Sequence, residues 1–582
     1  MKKEKLFSLL LAACMLIGLL SACGGTSSGA STSGSASSGA SADADTTSSI
    51  ENSAVEATAS AQPAEQTGDT ADLHSSAQEG TPGESISYPI GDGSQELSMF
   101  MLFTLSNYFD SPADSVYWQA FEEATGVNVN FTPTDNESQA EKFSLMVASG
   151  DYTDLMHNFN NLYSAGLDNA VEQEIILPLN DYMDCLPDYM AAISQNDTMS
   201  KAAVTDDGNY AVVRGFYDCI SYTNYGLVIR QDWLDDLNME VPHTYDQLYD
   251  VMKAFVSEKG ASYGVFVPYT GVIFGDYLVA GYGVSGFTFD ATRSPFYQVD
   301  GEVKFGAIED GMKDYLTMMH QWYDEGLVDH DFTSYTANFT YPDDSDITNE
   351  EVGIWGCITG LISAYPTWFD EGSSFQLSAM ADMVKEEGDM NHFSYARDLS
   401  LGGTGIAISA NCEDPELAAK FLNYNFTDEG YLLNNYGVEG VSYEYVDGKP
   451  QFTEAVTANE TMPTNYALAY YAQSTNGAFI IDSHRMDSTY NDVQLGAAAI
   501  WDSVTDGAYD YPSFVTLTSS ESESFSKTYS DINSYVQEMI LKFIIGEESL
   551  DNWDSYVENV KAMGIDTCIE IKQDGYDRYM ER

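Results

Sequence analysis

The chain is short of positive charge. Of its 582 residues only 23 are lysine or arginine, against 91 aspartates and glutamates, and its formal net charge is −68. Nucleic-acid binding depends on clustered basic side chains that neutralise phosphates. No basic stripe is visible in the sequence, so we predict no nucleic-acid partner. Most of the acidic side chains are expected to form a solvated surface that keeps the protein soluble.

Cysteine is also scarce, with 7 residues in the whole chain. Cys14 lies in an apolar N-terminal segment and Cys23 follows it. The others are widely spaced and odd in number, so they cannot form a complete disulfide framework. We expect buried thiols. No Cys-x-x-Cys spacing suggests zinc, and we predict neither a metal nor a cofactor. The other cysteines are Cys185, Cys219, Cys357, Cys412 and Cys568.

Long apolar runs are absent beyond the N-terminus. There, three lysines within residues 2–5 precede an apolar run over 6–20, which is too short to span a bilayer. The next residues, Leu20-Ser21-Ala22-Cys23, resemble the lipobox of bacterial lipoproteins, in which the cysteine is acylated and becomes the new N-terminus. The resemblance implies a lipoprotein signal peptide over 1–22 and a lipidated Cys23. The alternative is an ordinary secretory signal that is cleaved near a cysteine.

The segment over 23–95 is rich in serine, glycine and alanine and has few large apolar residues. It cannot bury enough apolar surface to offset its chain entropy, so we predict a flexible linker. A diacylglyceryl cysteine carries two acyl chains, which hold a membrane far more firmly than one. We therefore expect a soluble body tethered to the outer face of the cell membrane, in a Gram-positive bacterium.

Strands and helices alternate after residue 96. Buried strands are predicted over 97–105 and 127–131, with a helix over 116–124 between them. Further along, Thr244 begins a helix with a capping box, and Asp414 is followed by proline at the first helical position. Short apolar strands between amphipathic helices favour an α/β fold with mostly parallel sheets.

Several segments of this α/β region resemble, in order, motifs of the extracellular solute-binding proteins of family 1, the maltose-binding-like class. Thr153 stands where that family usually has proline. The glycines and aromatic residues of the tail, over 546–579, match as well. The segments are SGDYTDL over 149–155, LPLNDY over 177–182, DGNYAV over 207–212, RQDWL over 230–234, WYDEGLV over 322–328 and ELAAKFLN over 416–423.

The resemblance implies a two-lobed periplasmic-binding-protein-like fold of type II. Two α/β lobes are joined by crossing strands, the ligand lies in the interlobe cleft, and hinge closure buries it. The permease subunits of an ABC importer then recognise the closed form. By analogy the first lobe holds residues 96–213 and 398–440, and the second holds 214–397 and 441–582. We expect a monomer.

Three candidate ligand residues lie in or beside the implied crossing, namely Arg214, Tyr217 and Tyr222. An arginine fork binds carboxylates or vicinal hydroxyls, but Arg214 could equally form an interlobe salt bridge. Trp355 lies between two glycines on a strand, where the resembling families often place a stacking aromatic; the alternative is a core residue. Arg397 resembles a position in the second crossing.

Other candidates follow predicted strands. Asn107 and Tyr108 come after the first strand, and ligands of open α/β sheets lie beyond the carboxyl ends of strands. Asp154 and Asn158 end the SGDYTDL segment in a similar way. For the last three candidates, core or surface packing is favoured over ligand contact. These three are Tyr282, Tyr436 and Trp501.

Forty tyrosines make the chain rich in rings with one polar edge, which suit sugar ligands. We predict capture of a carbohydrate, in particular an oligosaccharide, and no enzymatic activity. Gly260-Ala261-Ser262-Tyr263-Gly264 matches the nucleophile-elbow pattern but has the order helix, turn, strand, so it predicts a helix end. The alternatives are a peptide-binding receptor, a surface adhesin, and a lipid-anchored glycosidase, which needs two carboxylates about 5–10 Å apart.

Overall fold

The computed structural model describes most of the chain beyond residue 84. Cys23, the signal peptide and most of the predicted linker lie outside the described residues, as do Cys219, Tyr222 and Arg397. None of the helices in the described part is both long enough and apolar enough to cross a membrane. The described residues are 85–218, 225–267, 276–286, 295–334, 342–370, 372–393, 400–473, 477–501 and 503–582.

The secondary structure mixes strands and helices along the whole body. The strands are β1 (Gln95–Leu102), β2 (Val127–Thr134), β3 (Leu155–His157), β4 (Val213–Tyr217), β5 (Tyr225–Arg230), β6 (Phe296–Val299), β7 (Glu302–Phe305), β8 (Ile354–Ile358), β9 (Leu377–Met380), β10 (Ser400–Ile408), β11 (Tyr443–Val446), β12 (Lys449–Phe452) and β13 (Ile480–Ile481).

The first ten α-helices lie before residue 325. They are α1 (Val116–Thr125), α2 (Gln139–Ser149), α3 (Phe159–Leu162), α4 (Leu167–Glu172), α5 (Pro187–Ile193), α6 (Asp197–Ala203), α7 (Gln231–Leu237), α8 (Tyr245–Ala254), α9 (Asp276–Val279) and α10 (Asp310–Asp324).

The remaining α-helices follow the second half of the chain. They are α11 (Asp344–Thr348), α12 (Thr359–Ile362), α13 (Pro415–Asn423), α14 (Asp428–Tyr436), α15 (Glu454–Thr457), α16 (Thr464–Tyr471), α17 (Asp492–Trp501), α18 (Ser519–Ile544), α19 (Trp553–Ala562) and α20 (Ile565–Glu581).

A six-stranded sheet in the order β13-β4-β10-β3-β1-β2 organises the first lobe. Strand β10 runs antiparallel to its neighbours, whereas the other five strands share one direction. Successive side chains of β1 point to opposite faces. Met99 packs in a core with Phe121 of α1, and Phe100 packs on the other face with Phe143 of α2. This sheet confirms the predicted parallel arrangement.

A three-stranded sheet in the order β8-β5-β9 organises the second lobe. Both of its strand pairs are antiparallel, so the prediction of mostly parallel sheets is wrong here. A buried apolar run records burial on two faces but not the direction of its neighbours. Ile229 faces a core shared with α8, α10 and α18, and Val228 faces a smaller core that includes Trp355 and Trp501.

Local helix signals agree well with the structure. Thr244 and Gln247 form the predicted capping box at α8, and the Asp414 side chain accepts a hydrogen bond from the Leu417 amide at the start of α13. The helix that follows Thr244 ends before Gly260, which has a left-handed φ of 77°. Because Ser262 therefore follows a helix, this segment does not form a nucleophile elbow, which needs a strand before the turn.

The ordered body begins earlier than the sequence predicted. The Tyr88 hydroxyl donates to the Lys420 carbonyl at 2.8 Å, and the Ile90 amide donates to the Thr125 carbonyl at 2.9 Å. Residues 88–93 therefore pack on α1 and α13 although they belong to the predicted linker. The apolar side chains of Tyr88 and Ile90 pack against the core of the first lobe. They were too few to distinguish this segment from the polar linker before it.

Strand β13 joins the first sheet although the predicted division placed 441–582 in the second lobe. Ile480 pairs with Phe216 of β4, and the Tyr117 hydroxyl of α1 donates to Asn434 of α14 at 2.8 Å. Helix α16, which precedes β13, packs against α14 through Leu468. A two-residue strand has no periodicity, so the sequence offered no signal for this pairing.

Helix α20 connects the two cores. Cys568 near its start lies in the core of the second lobe, whereas Tyr579 near its end lies in the core of the first. The loop residue Asp206 of the first lobe accepts a hydrogen bond from Arg578 at 3.2 Å and one from Arg582 at 3.0 Å. The last helix is therefore fastened to the first lobe by an ionic cluster.

Candidate ligand-binding edge

The residues that follow the parallel strands of the first sheet meet at one edge. We call this the carboxyl edge and define it as residues 103–109, 135–139, 158–161, 218 and 482–485, which directly follow β1, β2, β3, β4 and β13. Strand β4 ends here before the chain enters the second sheet at β5, and β10 enters the first sheet here, with Ser400 opposite Phe216. Ligands of open α/β sheets lie beyond such an edge.

Aromatic rings cover one end of the carboxyl edge. The Tyr108 ring, which is 39% exposed, lies 5.2 Å from that of Tyr466 on α16. The ring of Phe109 stacks on Tyr470 with a centroid distance of 4.7 Å. Asn107 precedes them and is exposed. Asn107 and Tyr108 thus lie beyond the first strand, beside two tyrosines from a distant helix, and their contact with a ligand stays a prediction.

A chain of side-chain amides lies at the ends of β2 and β3. Asn158 has a left-handed φ of 62°, and its Nδ2 donates to Oε1 of Gln139 at 3.4 Å. Its Oδ1 accepts from Nδ2 of Asn161 at 2.7 Å. Gln139 is the first residue of α2 and is 7% exposed. These amides provide neutral donors and acceptors at the edge.

A charged cluster lies at the other end, where β4 and β13 finish. The Ser483 amide donates to Oδ1 of Asp218 at 3.0 Å, and the Tyr436 hydroxyl donates to Asp482. The Arg485 guanidinium is buried and donates to the Gln473 carbonyl at 2.9 Å. Its burial lowers the pKa of Arg485 below the usual value. This cluster holds the chain where it leaves the first lobe.

The sequence profile of the family described as bacterial extracellular solute-binding protein matches residues 107–432, more than half of the chain. The chain belongs to the bacterial extracellular solute-binding proteins.

Two relatives and one solved structure resemble this solute-binding protein over most of its length. The fructooligosaccharide ABC transporter substrate-binding protein FusA of Streptococcus pneumoniae is 24% identical over 85% of this chain and 92% of FusA. Lipoprotein LipO of Bacillus subtilis is 24% identical over 78% of this chain and 88% of LipO. The crystal structure of alginate-binding protein AlgQ2 has a TM-score of 0.61 at 22% identity, covering 83% of this chain and 98% of AlgQ2. This likeness shows the two-lobed fold.

Two predicted ligand residues of the solute-binding protein lie in a core. Trp355 is 0% exposed, and its ring meets that of Tyr365 at 5.6 Å. Trp501 is 2% exposed and donates from Nε1 to the Leu227 carbonyl at 2.9 Å. A Cβ on Gly226 would lie 2.3 Å from the Trp501 ring, so the ring fills the space that this glycine leaves. Their burial supports the alternative that both are core residues.

Arg214 and Tyr217 lie on β4 just before the carboxyl edge. The Arg214 guanidinium is 5.7 Å from the centroid of the Phe514 ring, and burial lowers the pKa of Arg214 to about 10. Tyr217 packs with Phe479 and Ile481. Both side chains are buried, so in this conformation they pack in the interior next to the carboxyl edge.

Asp154, Tyr282 and Tyr436 occupy other places. Asp154 precedes β3 at the opposite edge of the sheet, where its Oδ2 accepts from the Ser98 amide at 2.7 Å. Tyr282 belongs to the second lobe, with its ring 4.7 Å from that of Tyr245. Tyr436 is buried and contacts the charged cluster through its hydroxyl. Among the described residues no cluster of three histidine, cysteine or acidic side chains is placed to hold a metal ion.

Sequence reasoning missed Gln139, Tyr466, Tyr470 and Arg485. The two tyrosines lie in the segment TNYALAYY of α16, whose tyrosine content is visible in the sequence. Nothing local places that helix beside β1, more than 300 residues earlier. Gln139 follows a strand and could have been found by the same argument that found Asn158.

Proposed function

We propose that this solute-binding protein is a lipid-anchored receptor on the outer face of the cell membrane. It captures an oligosaccharide between its lobes by hinge closure and delivers it to the permease of an ABC importer. It acts as a monomer and returns its ligand unchanged. The observation that carries the proposal is the combination, at one sheet edge, of partly exposed aromatic rings with neutral amide groups.

The chemistry of the carboxyl edge supports a sugar ligand. Sugar rings present apolar faces that stack on tyrosine and hydroxyl groups that pair with amides. Tyr108 and Tyr466 offer the first kind of surface, and Gln139 with Asn158 offers the second. FusA, which resembles most of this chain, is named for binding fructooligosaccharides and for an ABC transporter.

The charged cluster does not resemble a hydrolytic pair. Asp218 accepts a hydrogen bond from the Ser483 amide, and Asp482 is engaged by Tyr436. A glycosidase needs one carboxyl group that is protonated and one that faces the sugar. Both carboxylates instead tie together the chain segments at the root of the crossing, which supports a binding protein over an enzyme.

The division into lobes follows the two sheets. We extend the predicted first lobe, 96–213 and 398–440, by 214–217, which complete β4 of the first sheet. We also add the described residues between 443 and 481, because β13 pairs with β4. The second lobe then holds 225–393 and the helices from α17 onward, whose Trp501 packs beneath β5. Helix α20 ends against the first lobe through Tyr579.

Replacing Tyr108 with alanine should weaken oligosaccharide binding by about 1–3 kcal/mol, by analogy with ring stacking on aromatic side chains. Titration calorimetry of the full chain with kestose and nystose measures the change. Tyr445, which is 48% exposed on the hairpin β11–β12, provides a matched control. Equal affinities for the parent and the Tyr108→Ala variant would remove Tyr108 from the site.

The same ligands separate a receptor from an enzyme. After a long incubation with the protein, chromatography should recover each oligosaccharide intact. Shorter fragments that increase with protein concentration would refute the receptor and favour a glycosidase.

Replacing Cys23 with alanine should release the protein into the medium, because the acyl chains supply the membrane attachment. The measurement is an immunoblot of the medium and the membrane fraction. Cys14→Ala changes a cysteine in the predicted signal peptide and should leave the protein on the membrane. Full retention of the Cys23→Ala variant would refute the anchor. LipO, which bears the name lipoprotein, supports this prediction.

A further inference from the structure

We propose that Gln139 forms a subsite for an uncharged sugar unit, and that the carboxyl edge selects neutral oligosaccharides over those built from uronic acids. The inference rests on the proposed receptor function and adds the class of its ligand. It starts from the side-chain amide nitrogen of Gln139, which has no hydrogen-bond partner among the described residues.

The amide chain fixes how the Gln139 carboxamide is oriented. Its Oε1 accepts from Asn158, and Asn158 is held in turn by Asn161 at 2.7 Å. The Nε2 atom of Gln139 is buried and has no hydrogen-bond partner among the described residues. A buried donor without a partner is costly, so such groups are normally satisfied. A ligand hydroxyl at this edge would accept the missing hydrogen bond from Nε2.

The charge of the carboxyl edge disfavours a uronate. Arg485 is the one lysine or arginine within the residues that define the edge, and it is buried and committed to the Gln473 carbonyl. His484 lies 3.0 Å from the Asp487 carboxylate. Lys142, on the next turn of α2, is exposed and interacts with Asp135. A bound carboxylate is held most firmly by an available guanidinium or ammonium group.

The long-range field acts in the same direction. A formal net charge of −68 repels a polyanion during encounter, whereas a neutral sugar is unaffected. FusA is named for fructooligosaccharides and AlgQ2 for alginate. The first are neutral and the second is a polyuronate, so resemblance to these proteins leaves the choice open. The amide donors and the scarcity of cations favour the neutral class here.

The test uses the full chain and titration calorimetry against two panels. The neutral panel contains kestose, nystose and maltotriose, and the acidic panel contains digalacturonate and trigalacturonate, each at low and high salt. We expect binding within the neutral panel, insensitive to salt, and affinity for the acidic panel lower by roughly 100-fold or more. Gln139→Leu, which keeps the side-chain size, should weaken neutral binding roughly 10-fold or more.

Gln119→Leu on α1 makes the same substitution at an exposed glutamine and should leave the affinity unchanged. Thermal unfolding of Gln139→Leu near the parent value establishes that the variant is folded. Tighter binding of trigalacturonate would overturn the inference while the receptor function stands. Unchanged neutral binding by Gln139→Leu would overturn the subsite. If neither panel binds, the receptor function fails and the inference fails with it.

Discussion

Replacing Trp501 with alanine should lower the free energy of unfolding by about 3–5 kcal/mol, the usual cost of deleting a buried tryptophan. The ring is almost fully buried at the end of α17, against β5. Its Nε1 donates to Leu227 across 274 residues of sequence. The variant would leave a cavity beside Gly226, because glycine has no side chain that could fill it. Chemical denaturation followed by intrinsic fluorescence measures the change.

Two comparisons separate packing from hydrogen bonding. Trp368 is 37% exposed, and its replacement by alanine should cost far less than that of Trp501. Trp501→Phe loses the hydrogen bond to the Leu227 carbonyl. This loss should lower the free energy of unfolding by about 1–3 kcal/mol, in addition to the loss from packing. The Nε1 of Trp355 has no partner among the described residues, so Trp355→Phe loses no such bond. Equal losses in the two phenylalanine variants would contradict the role given to the Trp501 hydrogen bond.

Replacing Asp206 with alanine should destabilise the protein by about 3 kcal/mol, because Arg582 then loses its carboxylate partner and Arg578 loses one of two in a partly buried site. Asp206 retains 11% exposure, and Arg582 retains 5%. Arg578 also pairs with Glu521 at 2.6 Å, at the start of α18. The Thr516 hydroxyl donates to Asp206 at 3.1 Å. One carboxylate thus joins three chain segments.

Scanning calorimetry measures this loss, and Asp207→Ala is the matched control. Asp207 is the next residue in the same loop and is exposed, so its replacement should change the stability by less than about 0.5 kcal/mol. Since α20 begins in one core and ends in the other, we expect the Asp206→Ala variant to loosen the attachment of α20 to the first lobe. An unchanged melting profile for Asp206→Ala would refute the structural role of the ionic cluster.

The place of a candidate residue was predictable where it depends on strand order. Asn107, Tyr108 and Asn158 could be placed at the carboxyl edge because residues after parallel strands gather at one edge, and local apolar runs reveal the strands. The two tryptophans were placed less well. The glycines beside Trp355 suggested that its ring is accessible to a ligand. The strand on which it lies is instead covered by Tyr365 and by the neighbouring helices of the second lobe.

Long-range contacts explain most of the misses. The tyrosines of α16 lie beside the loop after β1, and β13, a strand of two residues that follows this helix, joins the first sheet. Arg578 of α20 and Arg582 just after it contact Asp206, although about 370 residues of sequence separate them from it. No periodicity or capping signal extends over such separations, so neither contact has a local signature.

The sequence by itself determined the acidic character of the protein, the caps and faces of its helices, the apolar strands β1 and β2 and the family to which it belongs. These depend on composition or on interactions within one or two turns, which are written in neighbouring residues. The tertiary structure alone decided which aromatic rings are buried, which helix covers the carboxyl edge and which amide is left without a partner. Those properties depend on side chains brought together from distant parts of the chain, because packing is a property of the assembled cores.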